Sequence, residues 1–345
     1  MAWRIRSLLR APGCARLAAV LLALLGPLPG PRAGAEPACE HSAADAAALT
    51  RLASVMAHGR FIAYEPTALK VLDGRVQNAD PASIRADLVA LRPRFDGLIT
   101  YDAVHGAEAI PEIAAALKFR ALIVGVWNPA ATAEVDAALG AAHRYPQLVV
   151  GLSLGNESIF AHRTGFAPLA AAIAAVRARA PQLPLSTTEP FHLYEEPAAR
   201  VLLGSVDFLL ANVHPVHQPW FRRASDATAA QFVVNVTADL AQRFCGPILV
   251  KETGAPTAPA SGGFSAARQA SFYAQLRRRF PSSATRAFAY FSAFDAPWRA
   301  YDANPVAGAV TGPEEAFWGL YDSERRPKAA ALALPPLQGR PSAAH

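Results

Sequence analysis

Eight short apolar runs recur along the chain, separated by Ala/Leu-rich stretches of helical character, and this alternation leaves few folds open. The runs are Arg60–Glu65, Gly97–Tyr101, Ala121–Trp127, Leu148–Leu154, Leu183–Glu189, Phe208–Val213, Ile248–Glu252 and Phe288–Ala293. The helical patterns between them include Ile84–Leu91, Ile110–Leu117, Ala133–His143, Pro168–Arg179, Ala227–Phe244 and Ser265–Phe280. Asp80 before Pro81 and Asn128 before Pro129 read as helix starts, since an acceptor side chain followed by proline suits the first, otherwise unbonded amides. Strands alternating with helices form a parallel sheet with crossover connections. Eight of them at near-even spacing favour closure into one α/β domain, a (β/α)8 TIM barrel, over an open doubly wound sheet. Gly151 to Gly155 do not form the glycine turn that opens a dinucleotide-binding helix, and no P-loop sequence occurs. Nucleotide chemistry therefore has no support, and no cofactor is expected.

Residues 1–35 have a different character. Arg4, Arg6, Arg10 and Arg16 precede or flank the apolar run Leu17–Leu25, followed by Pro27, Pro29, Pro31 and Ala33-Gly34-Ala35. A basic start, a short apolar centre and a small-residue cleavage site are the pattern of a secretory signal peptide, and the apolar run is well short of the ~20 residues that span a bilayer. The expected organisation is a leader over 1–35, a barrel over 36–334 and a disordered Pro/Ala-rich tail over 335–345. The product is expected to be exported, periplasmic or secreted, a monomer, and free of the membrane once cleaved. The leader carries five arginines and no acid, so without it the formal net charge falls from +6 to +1. The charge balance therefore gives no support for nucleic-acid binding, which needs clustered positive charge on the folded domain, and no nucleic-acid partner is expected. Of the three cysteines, Cys39 and Cys245 remain. In an oxidising compartment they form either one disulfide or two buried thiols, and spacing does not choose between these.

Active sites of α/β barrels are built at the carboxyl ends of the strands. Those ends carry Tyr64-Glu65, Tyr101-Asp102, Trp127-Asn128, Asn156-Glu157, Glu189, Asn212 with His214, Glu252, and Asp295 with Trp298. Aromatic rings stack on the apolar faces of pyranoses, and carboxylates and amides bond their hydroxyls. Cleaving a glycosidic bond needs two carboxyl groups, one to protonate the leaving oxygen and one to attack or to activate water. Glu157 and Glu252, on runs three strands apart, supply such a pair. His214 and His217 have no further ligand nearby and do not match a zinc helix, so no metal is expected. Ser158 lacks the His/Asp context of a nucleophile.

Gly155-Asn156-Glu157, followed by Glu252-Thr253-Gly254-Ala255-Pro256-Thr257, resembles glycoside hydrolase family 17, the β-1,3-glucanases and glucanosyltransferases. Ile62-Ala63-Tyr64, Leu98-Ile99-Thr100-Tyr101, Asn212-Val213-His214-Pro215, Tyr290 through Trp298, and Phe317 through Asp322 agree with its bacterial and fungal branch. The resemblance spans residues 60 to 328. It implies that Glu157 is the general acid/base, Glu252 the nucleophile of a retaining double displacement, and Asn156 the partner of the sugar 2-hydroxyl. It further implies that Tyr64, Tyr101, Trp127, Glu189, His214, Asp295 and Trp298 line subsites for a β-glucan partner. Two positions depart from the family pattern. Ala255 stands where it usually has Trp, and Arg299 where Lys is common.

Three functions stay open at this level. One is a retaining enzyme on β-1,3-glucan that hydrolyses it or transfers glycosyl units. The second is a non-catalytic glucan-binding barrel, which would not need a second acid. The third is a related retaining glycosidase on another β-glucan or mannan, which Ala255 keeps open.

Overall fold

A computed structural model describes residues 44–72, 75–301 and 312–337. Eight parallel strands close into one barrel in which each strand pairs with its neighbours in sequence and the last returns to the first. In chain order they are β1 (Phe61–Ala63), β2 (Gly97–Ile99), β3 (Ala121–Val126), β4 (Val149–Asn156), β5 (Leu185–Pro190), β6 (Leu209–Asn212), β7 (Ile248–Glu252) and β8 (Arg286–Tyr290). This is the (β/α)8 barrel that the alternation predicts. The bounds differ most at β8, which starts two residues earlier than the apolar run suggests and ends at Tyr290.

Period-two patterning explains the layers. Phe61, Ile99, Ile123, Phe208, Leu210, Leu249, Ala287 and Ala289 belong to one buried cluster inside the barrel. Their neighbours Ile62, Leu98, Leu122, Leu209, Ile248 and Val250 belong to the cluster shared with the outer helices. The helix Ala46–His58, which the sequence patterns do not single out, contributes Leu52, Val55 and Met56 to the inner cluster and so plugs the barrel interior. Each fully buried Leu or Met there removes about 1.5–3 kcal/mol worth of apolar surface from water.

The helix Pro81–Leu91 begins as expected, with Asp80 Oδ1 accepting from Ser83 N at 2.8 Å and Pro81 in the first turn. Asn128 does not cap a helix. The helix after β3 starts at Thr132 with no side-chain cap, and Asn128 Oδ1 instead accepts from Ala130 N in a local turn. Glu134, in that helix's first turn, takes the amides of Trp127 and Asn128, tying the strand end to the helix.

At the far end of the chain, Arg60 Nη1 donates to Pro335 O at 3.0 Å, and Leu337 N to Pro93 O at 3.1 Å. The tail expected to fray from Pro335 is thus tied down through Leu337, and 338–345 lie outside the described residues, as do the leader and Cys39. Cys245 is disulfide-bonded, and its partner lies outside the described residues too. No helix among the described residues is long and apolar enough to cross a membrane.

Candidate active site

Both acids follow an irregularity in the sheet. Between β4 and β5, Ser153 pairs with Ser186 but Asn156 with Thr188, so β4 carries one extra residue just before Glu157. Between β6 and β7, Ala211 pairs with Val250 but Asn212 with Glu252, so β7 skips Lys251. A regular strand sends consecutive residues to opposite faces, and a bulge breaks that rule and re-aims a side chain. The two irregularities let the consecutive pairs Asn156-Glu157 and Lys251-Glu252 serve one mouth. The end of β4 is equally specific. Gly155 has φ +85°, and a Cβ there would lie 2.9 Å from Ser158 Oγ. Glu157 itself has φ +49°, uncommon for a residue with a side chain, and its amide donates to Thr188 O at 2.7 Å.

Asn212 joins the two acids. It sits in register with Glu252, and its Nδ2 donates to Glu157 Oε1 at 2.8 Å. Glu252 is buried, with Oε2 3.3 Å from His214 Nε2 and Oε1 3.7 Å from Lys251 Nζ. The same Lys251 Nζ donates to Asn156 Oδ1 at 2.6 Å and lies 4.0 Å from the Tyr101 ring centroid. The Tyr101 hydroxyl is close enough to influence Glu252 electrostatically but falls outside hydrogen-bond geometry. His214 is fixed by edge contacts with Phe291, Trp318 and His217.

These surroundings drive the two carboxyls apart in acidity. Burial raises the pKa of Glu157, the negative charge of Glu252 raises it further, and the Asn212 hydrogen bond only partly opposes them. Burial alone would raise Glu252 as well. There the His214 hydrogen bond and the Lys251 charge prevail, and its pKa falls below the ordinary value. Such a pair sets a carboxyl that holds its proton more tightly than usual beside one that gives its proton up more readily.

A cavity of about 490 Å³ opens beside these groups over β1 to β3. Trp127, 41% exposed, and Trp298 line it, and Val71 and Val76 wall it from a hairpin formed by Lys70–Leu72 and Arg75–Gln77. Arg163 lies 4.5 Å from the Trp127 ring centroid and donates from Nη2 to Asn156 O, so the exposed indole is braced from the acid's own loop. Asp102, also on the wall, pairs with His105 at 3.0 Å, and its pKa is pushed up to about 6, chiefly by burial.

The candidate residues thus divide. Glu157, Glu252, Asn156, Tyr101 and His214 converge, and Trp127 and Trp298 line the adjoining cavity. Tyr64 contributes wall, but its hydroxyl is committed to Asp87 Oδ2 at 2.9 Å. Glu189 is not a subsite residue. It is fully buried and its two oxygens accept from Ile159 N and Phe160 N, bracing the loop that carries Glu157. Asp295 is also structural, with Oδ1 taken by Lys328 Nζ and Gly319 N. Arg299 pairs with Glu65 at 2.5 Å and lies over Phe291. Ala255 is buried, its amide and carbonyl bonded to the Tyr290 hydroxyl. Lys251 is the central residue absent from the sequence reading, and Asn212, noted there at a strand end without a role, is the partner of Glu157. A lysine inside a strand buried on every residue is the signal for the first.

A parallel barrel that brings two carboxyls of opposed acidity to its mouth, Glu252 buried and Glu157 half-buried, beside the exposed indole of Trp127, has the equipment of a glycoside hydrolase. The chain belongs to the BtgE/BtgC glycoside hydrolase domain family, which matches residues 62–319. A glucan 1,3-beta-glucosidase from Arthroderma benhamiae is 26% identical over 268 residues, covering 73% of this chain and 85% of the relative. A β-1,3-glucanosyltransferase of Rhizomucor miehei, solved as an active-site mutant with laminaritriose, has a TM-score of 0.60 at 22% identity, over 79% of this chain and 96% of that one. A second structure of a Rhizomucor miehei β-1,3-glucanosyltransferase is described as glycoside hydrolase family 17. An endo-laminarinase from Formosa Hel1_33_131 has a TM-score of 0.63 at 18% identity, over 82% and 90%. At these identities the solved structures speak to the fold.

Proposed function

We propose that this protein is a retaining glycoside hydrolase of the family 17 type that acts on β-1,3-glucan, with Glu157 as acid/base and Glu252 as nucleophile. The observation that carries the proposal is the pairing of a buried carboxyl, Glu252, with a half-buried one, Glu157, joined through Asn212, whose surroundings move their pKa values in opposite directions. Glu252 attacks the anomeric carbon while Glu157 gives its proton to the leaving oxygen. Glu157, now a base, then takes a proton from the acceptor that releases the glycosyl group. Water as acceptor gives hydrolysis and a sugar hydroxyl gives transfer, with the same residues acting in both. The β-1,3-glucan class is supported by the names of the relatives, and the cavity with its two indoles suits a pyranose chain. A purely binding barrel would gain nothing from driving the acidities of two neighbouring carboxyls apart.

The test is proton NMR of laminari-oligosaccharide digestion. Products should appear first in the β configuration, and Glu252→Gln should abolish turnover while leaving glucan binding within about threefold. First-formed α product would overturn the retaining mechanism. In a crystal structure the two carboxyls should lie about 5–5.5 Å apart.

Export belongs to the same proposal. The leader pattern and the disulfide at Cys245 support an oxidising compartment. Fractionation should recover the protein outside the cytoplasm, with an N-terminus after Ala35.

A further inference from the structure

Lys251 is a fully buried ammonium that the two-carboxyl mechanism leaves without a task. An apolar side chain at the same position would avoid the desolvation of a charge. What Lys251 does instead is visible in its contacts. Nζ reaches Asn156 Oδ1 at 2.6 Å and Glu252 Oε1 at 3.7 Å, under the Tyr101 ring. An ammonium has donors only, whereas the asparagine amide has an acceptor oxygen and a donor NH2 on opposite arms. Contact with Lys251 therefore selects one of the two amide orientations. The oxygen is spent on the lysine, and the NH2 is left for the substrate side.

We propose that Lys251 is a positioning residue, which orients the Asn156 amide to donate to the hydroxyl beside the scissile anomeric carbon and holds Glu252 ready as an anion. The inference rests on the retaining reading of Glu157 and Glu252. Three carboxylates act on the lysine, Glu252 from β7, Glu157 after β4 and Glu65 after β1, and Tyr101 after β2 covers it. Burial nevertheless lowers its pKa to about 8, the three acids opposing the fall. Above that pH the neutral amine has a lone pair and can accept from the amide, so the orientation is no longer forced.

The experiment compares kcat/KM for an aryl β-laminaribioside with its analogue lacking the 2-hydroxyl on the scissile ring. The ratio of the two is the readout, because ionisations of Glu157 and Glu252 act on both substrates and cancel. Wild type should prefer the 2-hydroxyl substrate. Lys251→Met, close in length but without a donor, should lower that preference about tenfold, equivalent to about 1.4 kcal/mol. Asn156→Ala should lower it by the same factor, and the double variant no further. In wild type the preference should decline as pH rises through about 8, and in Lys251→Met it should be low and flat. If Lys251→Met loses both substrates equally, or keeps the full preference, the positioning role is wrong. Should Lys251→Met not fold, a wild-type preference that stays flat through about pH 8 overturns the inference by itself. Wild type inactive on both substrates would sink the glucosidase reading, and the inference with it.

Discussion

Glu157 and Glu252 differ less in their own chemistry than in what surrounds them. One has an amide donor and a neighbouring anion, and the other has an imidazole and an ammonium. The proposed mechanism requires Glu252 ionised and Glu157 protonated. The acid limb of the pH profile should therefore fall below the ordinary carboxylate range, and the alkaline limb above it. Trapping Glu252 as a fluoroglycosyl ester removes the anion that raises Glu157, so the Glu157 pKa should drop, as read by carbon-13 NMR of labelled glutamate. Glu157→Gln should cost far more on laminarin than on an aryl glucoside whose leaving group needs no proton. Azide should partly restore Glu157→Ala and give a β-glycosyl azide. A Glu157→Gln variant that cleaves laminarin at near wild-type rate would remove the residue from the mechanism.

Elements place these residues, and the brace on the acid loop is the clearest case. Glu189, at the end of β5, holds the amides of Ile159 and Phe160. Glu189→Ala leaves both amides without their acceptor and should cost about 2–4 kcal/mol in urea unfolding, together with a fall in kcat. The pKa of Glu189 is pushed up to about 7, chiefly by burial, against 4.5 unperturbed. Folding thus favours its protonated form. Its contribution to stability is fullest below about pH 4.5 and declines as pH rises to about 7. The slope should vanish in Glu189→Gln. Much of this architecture is legible in sequence because strand period and helix period differ. Ile248–Glu252 was readable to the residue, and so was the capped start at Pro81. The skipped partner at Lys251 was not, since a bulge changes which face a residue takes without changing the sequence pattern. Glu189 was misread for a related reason. At a strand end a carboxylate that binds sugar and one that binds two amides look alike in sequence. The plug helix Ala46–His58 escaped because its apolar face fits an ordinary amphipathic helix, and only the packing of Leu52 and Met56 inside the barrel distinguishes it.

On the scale of the whole molecule, several ties bind distant parts of the chain. The disulfide at Cys245 sits just before β7. Reduction, or Cys245→Ala, should lower stability by about 2–4 kcal/mol in denaturant unfolding, with little change in KM. A second tie joins the far end to the beginning. Asp87, fully buried, accepts from the Tyr64 hydroxyl, from Thr67 and from Arg325 Nε at 2.7 Å. Arg325 Nη2 also reaches Ser83 Oγ at 2.6 Å.

That last contact bears on how the protein is made. Tyr64, Thr67 and Asp87 leave the ribosome early, and the cation that balances Asp87 leaves more than two hundred residues later, at Arg325. Until then the helix Pro81–Leu91 carries a carboxylate that cannot enter the core as an anion without a penalty of several kcal/mol. A chain stopped before Arg325 would hold all eight strands yet lack the counter-ion of Asp87, and would have to bury that carboxyl either protonated or as an uncompensated charge.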